Sequence, residues 1–177
     1  KNEKGRQNPT PQKKSALNSI NLNLDVIADK SMINKYFLSN NFMIIDNRTQ
    51  KEFDGATPYG SPKGGHIPNA IHIHWSEFFQ ADGTLKKLPA LNSLLSQNAI
   101  RPNKEIIVYC TGGVRSGMAY FVFRYLGYKV RNYDGSWWDW SRSPFPVEIG
   151  QKRSKTNQKT LTGDKKLPLR SGVEHSG

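Results

Sequence analysis

A single cysteine opens the run of residues whose types and spacing could carry out chemistry. Cys110 is the only cysteine among 177 residues, and residues 110–116 read Cys-Thr-Gly-Gly-Val-Arg-Ser. An apolar run at 106–108 precedes this segment and a helical pattern follows it, which places the thiol where open α/β sheets bind ligands. Backbone N–H groups in a glycine-rich turn and at a helix N-terminus favour negative charge, so they lower the pKa of a thiol. The segment therefore predicts a thiolate nucleophile in an anion-binding loop, with Arg115 as its charged partner.

A structural role for Cys110 is the alternative interpretation, because a lone cysteine often serves as a small buried apolar residue. The residues that follow it favour the loop. Two adjacent glycines and an arginine pack poorly at the end of a strand, but they suit a turn that surrounds an anion.

Length and charge predict one folded domain with polar ends. The chain is long enough for one hydrophobic core, and most of its net charge of +12 lies near the termini. Residues 1–14 hold five basic residues and one acidic residue, and residues 151–177 hold seven basic and two acidic residues. Segments of this composition bury too little apolar surface to fold. We therefore predict a polar basic tail at 1–20, a domain at 21–149, and a second polar basic tail at 150–177.

The composition also restricts partners and location. Nucleic-acid binding is not predicted, since the excess positive charge lies in the tails, which are expected to aid solubility and to contact acidic proteins or surfaces. No apolar stretch reaches the ~18 residues of a membrane span, and the sequence contains no signal peptide. Because the first residue is Lys1, we expect an exported, periplasmic protein if a signal peptide has been removed, and a cytoplasmic one otherwise.

Alternating strand and helix patterns position the loop. Short apolar runs predict strands at 42–45, 67–73, 106–109 and 129–133, with a further strand or packed arm at 21–27. Periodic apolar residues predict helices or helical turns at 31–39, 49–53, 75–79, 90–99, 115–126 and 135–140. In the helix at 115–126, the residues predicted to face the core are Met118, Phe121, Val122 and Tyr125. The order predicts an α/β domain with a doubly wound, mainly parallel central sheet and helices on both faces.

Four motifs, in order along residues 22–148, resemble those of the rhodanese family of sulfurtransferases. Residues 45–48 resemble the family's Asp-x-Arg after a strand, and residues 65–71 are close to its Gly-His-Ile-Pro-Gly-Ala motif, with Asn69 in place of a glycine. Residues 110–115 match the six-residue active-site loop, and residues 133–137 match the closing Tyr-Asp-Gly-Ser-Trp motif. The segment most resembles the catalytic, C-terminal half of two-domain members.

The resemblance implies sulfur transfer rather than phosphate hydrolysis. A phosphatase of related architecture counts seven residues from Cys to Arg, whereas Arg115 is the sixth residue from Cys110 and closes a narrower ring. The implied mechanism is ping-pong: Cys110 takes a sulfane sulfur from a thiosulfate-like anionic donor as a persulfide, then passes it to a thiol, or to cyanide in an assay. It requires neither a metal nor an organic cofactor. Because the chain has no second cysteine, the acceptor must lie outside it.

The resemblance also assigns roles to individual residues. Cys110 is the predicted nucleophile, and Arg115 is predicted to hold the anionic end of the donor or to stabilise charge in the transition state. Lys63 is predicted as a second cation near the mouth of the site. The loop residues predicted to bind substrate are Thr111, Gly112, Gly113, Val114 and Ser116. The residues predicted to support the site without reacting are Asp46, Arg48, His66, Asp134 and Trp137.

Three functions remain open at this stage. The first is a thiosulfate-type sulfurtransferase, with thiosulfate or a polysulfide favoured over mercaptopyruvate. The second is a sulfur carrier or regulatory binding module without turnover, which accepts a persulfide from a partner protein. The third is a redox sensor, which a single cysteine would restrict to mixed or intermolecular disulfides.

Overall fold

The computed structural model describes residues 24–38 and 41–150. Within them, four parallel strands form one sheet in the order β2-β1-β3-β4. The strands are β1 (Phe42–Asp46), β2 (Ile71–His72), β3 (Glu105–Tyr109) and β4 (Val130–Asn132). From β1 the chain adds β2 on one side of β1, then crosses back and adds β3 and β4 on the other side. This order confirms the predicted doubly wound α/β fold.

Five α-helices and two short 3-10 helices connect these strands in the described part of the chain. The α-helices are α1 (Lys30–Tyr36), α2 (Gln50–Phe53), α3 (Leu88–Gln97), α4 (Val114–Tyr125) and α5 (Ser136–Ser141), and the 3-10 helices are Leu24–Val26 and Trp75–Phe78. Helix α1 begins before the predicted Ser31 because Asp29 is its N-cap, with Oδ1 accepting the Met32 N–H at 2.8 Å.

One predicted strand is shorter than expected, and the segment predicted as a strand or a packed arm takes the second form. The strand predicted at 67–73 contracts to Ile71–His72, because the Ile67 N–H donates to the Tyr109 hydroxyl rather than to a neighbouring strand. The segment predicted at 21–27 is described only from residue 24, where a 3-10 helix is followed by one parallel bridge between Ile27 and Asn132. Residues 24–27 therefore pack on the sheet as an arm rather than as a strand.

The core lies on both faces of the sheet, because successive side chains of a strand point to opposite sides. On β3, Ile106 and Val108 join a cluster with residues of α3 and α4, such as Leu91 and Val122. The other face, which includes Ile107 and Tyr109 of β3, packs against α1 and α5. Helices therefore cover both faces, as predicted.

The inward face of α4 differs from the predicted one. Met118, Phe121 and Tyr125 are exposed, and only Val122 of the predicted set is buried. The residues of α4 that are buried are Ser116, Ala119, Val122 and Phe123. The apolar periodicity of α4 was therefore correct, but the prediction of which side faces the core was wrong.

The predicted tail at 1–20 lies outside the described residues, and so does the predicted tail at 150–177 apart from Gly150. Across residues 24–38 and 41–150, no helix combines the length and the apolar content that crossing a membrane would require.

Candidate active site

The loop that contains Cys110 joins the carboxyl end of β3 to the first turn of α4. Strand β3 ends at Tyr109 and α4 begins at Val114, so the loop has four residues between two regular elements. Gly113 is the N-cap of α4 and has a φ of +91°, a conformation that glycine adopts without steric cost. The chain therefore turns sharply enough to direct several N–H groups toward one point.

The Cys110 thiol occupies that point. Its side chain is buried, and Sγ accepts the Gly113 N–H at 3.1 Å. Burial by itself raises the pKa of the thiol, but the Ser116 N–H and hydroxyl, the Gly112 N–H and the charge of Arg115 outweigh burial and lower the pKa below its ordinary value. The loop therefore stabilises a thiolate with neutral donors and one cation.

Arg115 forms a bidentate ion pair with Glu52. Nη1 donates to Oε2 and Nη2 to Oε1, each at 2.9 Å, and the Thr111 hydroxyl donates to Oε1 at 2.6 Å. Burial alone raises the pKa of Glu52, but hydrogen bonds from Arg115, Thr111 and Thr49 hold it at about 2. Glu52 is thus ionised at neutral pH and neutralises the guanidinium that closes the loop.

The N-terminal residues of α5 hold the loop through hydrogen bonds to its main chain. The Trp137 N–H donates to the Cys110 carbonyl at 2.9 Å, and the Trp138 N–H donates to the Thr111 carbonyl at 3.0 Å. The buried Ser136 hydroxyl accepts the Cys110 N–H at 3.1 Å. These bonds occupy the loop's main-chain groups that face α5, so the N–H groups near Sγ remain directed at the thiol.

The two loop glycines lie where a side chain would not fit. A Cβ on Gly112 would lie 2.6 Å from the Trp138 ring, and one on Gly113 would lie 3.1 Å from the Asp134 carbonyl oxygen. The Asp134 main chain therefore lies against the loop at Gly113.

A buried polar network joins the carboxyl ends of β1 and β3, next to the loop. The Arg48 guanidinium pairs with Asp46, with Nη2 at 2.6 Å from Oδ2, and Nη2 also donates to the Gly65 carbonyl at 2.7 Å. The Tyr109 hydroxyl donates to Asp46 Oδ2 at 2.6 Å. Arg48 also lies over the Trp137 ring, 4.4 Å from its centroid. The network fixes the ends of β1 and β3 relative to each other, and all four of these side chains are buried.

Two other residues predicted for the site, His66 and Lys63, make their contacts outside the active-site loop. The His66 ring stacks on Phe53 with 3.6 Å between centroids, and Nδ1 lies 2.9 Å from the Phe53 carbonyl oxygen. The Lys63 ammonium donates to the Ser143 carbonyl at 2.6 Å, and the Lys63 carbonyl accepts the Trp137 indole N–H at 3.0 Å. The geometry therefore directs the Lys63 ammonium to the segment after α5 rather than into the loop.

Sequence analysis missed Glu52 and Ser136. The spacing Thr49-x-x-Glu52 is the pattern of a capping box, and both of its hydrogen bonds are present at the start of α2. That pattern could have identified Glu52 as a helix cap, although it carries no information on the pairing with Arg115. Ser136, with a φ of +51°, is the serine of the Tyr-Asp-Gly-Ser-Trp motif at 133–137, and that motif could have identified it.

Part of the chain is similar in sequence to two curated proteins that are named for sulfur chemistry. The thiosulfate sulfurtransferase of Corynebacterium glutamicum is 36% identical over 123 residues, which cover 64% of this chain and 40% of that protein. The sulfur carrier protein TtuD of Thermus thermophilus is 38% identical over 106 residues, which cover 55% of this chain and 37% of that protein. The matched part of the chain thus spans about 40% of the length of these relatives.

The fold and a family model agree with these similarities. A solved structure described as "Probable Thiosulfate Sulfurtransferase" superimposes with a TM-score of 0.58 and 30% identity, covering 72% of this chain and 49% of that one. The model of the rhodanese-like domain matches residues 30–143, which is more than half of the chain. The chain therefore belongs to the rhodanese-like domain family.

Proposed function

We propose that this domain transfers a sulfane sulfur through a persulfide on Cys110. The observation that carries the proposal is the thiol itself, which is surrounded by loop N–H groups that lower its pKa. A larger thiolate fraction at neutral pH gives a better nucleophile toward an electrophilic sulfur. The same N–H groups can hold the negative charge of the persulfide that results.

The first half-reaction takes sulfur from a thiosulfate-like donor. The Cys110 thiolate attacks the outer sulfur of thiosulfate, the S–S bond of the donor breaks, and its electron pair leaves with sulfite. The product is the anionic persulfide on Cys110. Arg115 contributes through its charge, which lowers the pKa of the thiol, and through its pairing with Glu52, which fixes the end of the loop.

The second half-reaction returns the cysteine to its starting state. A thiolate, or cyanide in an assay, attacks the outer sulfur of the persulfide, and the electron pair of the S–S bond returns to Cys110 Sγ. The chain has only one cysteine, so no intramolecular disulfide competes with this transfer.

A sulfur carrier that receives its sulfur from a partner protein is the second candidate. The pairing of Arg115 with Glu52 supports it, because the charge of the guanidinium is neutralised and a small dianion gains less attraction from the site. The relative TtuD is named a sulfur carrier protein.

Intact-mass spectrometry after incubation with thiosulfate tests the proposal. We expect Cys110 to gain the mass of one sulfur atom with release of sulfite, and to lose that mass when a thiol is added. Cys110→Ser should show neither event. Sulfite release by Cys110→Ser at the rate of the original protein would contradict the mechanism. Loading by a cysteine desulfurase but not by thiosulfate would favour the carrier.

A further inference from the structure

An exposed apolar stripe runs along α4 away from the active-site loop. The four side chains and their exposed fractions are Val114 (81%), Met118 (43%), Phe121 (63%) and Tyr125 (59%). At 3.6 residues per turn they fall within about 60° of the helix circumference. Val114 is the first residue of α4 and directly follows the loop, so the stripe is continuous with the mouth of the site.

Gly117 provides an independent observation on the same helix. Glycine within a helix destabilises it relative to alanine, and a Cβ at Gly117 would have no neighbouring atom within 4 Å. The packing of the domain therefore gives no reason for a glycine here. A second surface that approaches the helix backbone closely would give one.

The charges around the stripe favour an acidic occupant. Helix α4 carries no acidic residue, and besides Arg115, which Glu52 neutralises, it carries Arg124; the chain as a whole has a net charge of +12. Residues 1–14 and 151–177 are also basic. Like charge therefore opposes association of α4 with a second copy of the chain, whereas an acidic protein is attracted to it.

We propose that the α4 surface, formed by Val114, Gly117, Met118, Phe121 and Tyr125, docks an acidic protein that carries the acceptor thiol. This inference rests on the proposed function of Cys110. With the partner seated on α4, its thiolate attacks the outer sulfur of the Cys110 persulfide. The S–S bond breaks, its electron pair returns to Cys110 Sγ, and the partner leaves as the persulfide. The exchange balances without any other oxidant or reductant.

Two synthetic peptides serve as probes of this surface. Both form an amphipathic helix with Leu and Phe along one face and a single terminal cysteine, and the flanking positions are Glu in one and Lys in the other. The full chain is loaded with sulfur, and loss of the persulfide is followed by mass spectrometry with each peptide and with dithiothreitol. We expect saturable discharge by the Glu peptide, at least tenfold faster than by the Lys peptide.

Variants assign this preference to α4. Phe121→Ser should reduce the ratio of the Glu-peptide rate to the dithiothreitol rate by about tenfold. Gly117→Gln favours the helix and should reduce the same ratio by blocking close approach. Leu88→Ser, which removes an apolar side chain that is 50% exposed on α3, is the matched control and should leave the ratio unchanged.

The outcomes separate docking from the chemistry on Cys110. Equal rates with the two peptides, or a ratio that neither α4 variant reduces, would overturn the docking proposal while discharge by dithiothreitol still supports the persulfide. Failure of dithiothreitol to discharge the persulfide would overturn both proposals. A dimer in sedimentation that Phe121→Ser dissociates would identify a second copy as the occupant and overturn the acidic partner.

Discussion

The Arg115 guanidinium and the Glu52 carboxylate, 63 residues apart in the sequence, meet in a bidentate ion pair beside Cys110. Glu52 is buried at the start of α2, after β1, whereas Arg115 lies in the first turn of α4, after β3. The pair therefore connects the ends of two adjacent parallel strands across the active-site edge. Since Thr111 also donates to Glu52, one carboxylate holds the loop at two positions.

Replacement of Glu52 by Gln should destabilise the domain. The amide keeps an oxygen for the capping box but loses the charge that pairs with Arg115, and charge-assisted hydrogen bonds contribute about 1.5–3 kcal/mol. We expect a loss of that size in the free energy of unfolding, measured in urea. Glu77→Gln is the matched control, because Glu77 occupies the same capping position but is exposed, and its carboxylate accepts the His74 N–H at 3.1 Å. Equal effects of the two variants would contradict a specific role for the pair.

Acid should weaken the fold through the same carboxylate. Folding lowers the pKa of Glu52 from its ordinary 4.5 to about 2, so the stability it contributes is complete above pH 4.5 and is lost as the pH falls toward 2. The difference in unfolding free energy between the original protein and Glu52→Gln should therefore shrink over this range, losing most of the about 1.5–3 kcal/mol expected at neutral pH. Urea unfolding at several pH values measures it. A difference independent of pH would show that Glu52 titrates normally.

The chemistry of the loop could be predicted from sequence because it is local. Cys110, the two glycines and Arg115 lie within six residues, and the preceding strand and following helix each have a strong apolar pattern. The pairing with Glu52 could not be predicted, because it depends on which strands become neighbours in the sheet. At Glu52 the sequence shows only a helix cap.

Helix α4 shows a different limit of sequence reasoning. Its apolar positions have helical periodicity, but periodicity does not indicate whether the apolar stripe meets the core or solvent. The core contacts are made instead by Ser116, Ala119, Val122 and Phe123. The choice between these faces depends on how closely the helix approaches the sheet, which is a property of packing rather than of local sequence.

Ser116→Ala should raise the pKa of the Cys110 thiol. The buried Ser116 hydroxyl and N–H both lower this pKa, and the substitution removes the hydroxyl while retaining the N–H. The Ser116 hydroxyl donates to the Gly113 carbonyl at 2.9 Å, and its loss beside the thiolate should lower the thiolate fraction near neutral pH roughly two- to tenfold. The rate of alkylation by iodoacetamide as a function of pH measures the shift, with the exposed Ser93→Ala on α3 as control. An unchanged inflection would exclude the hydroxyl as a donor to the thiolate.

Gly113→Ala should impair the site more than an equivalent change elsewhere. Gly113 and Gly83 have similar positive φ values, +91° and +81°, so alanine at either position should cost about 1–2 kcal/mol of backbone strain. A Cβ at Gly83 meets no atom within 4 Å, whereas one at Gly113 lies 3.1 Å from the Asp134 carbonyl oxygen. We expect both variants to lose stability in urea, Gly113→Ala by the larger amount, and only Gly113→Ala to slow alkylation of Cys110.

Because the Gly113 N–H is itself a donor to Sγ, any movement of the loop away from Asp134 also displaces a group that stabilises the thiolate. Equal alkylation rates in the two variants would show that the contact with Asp134 does not restrain the loop.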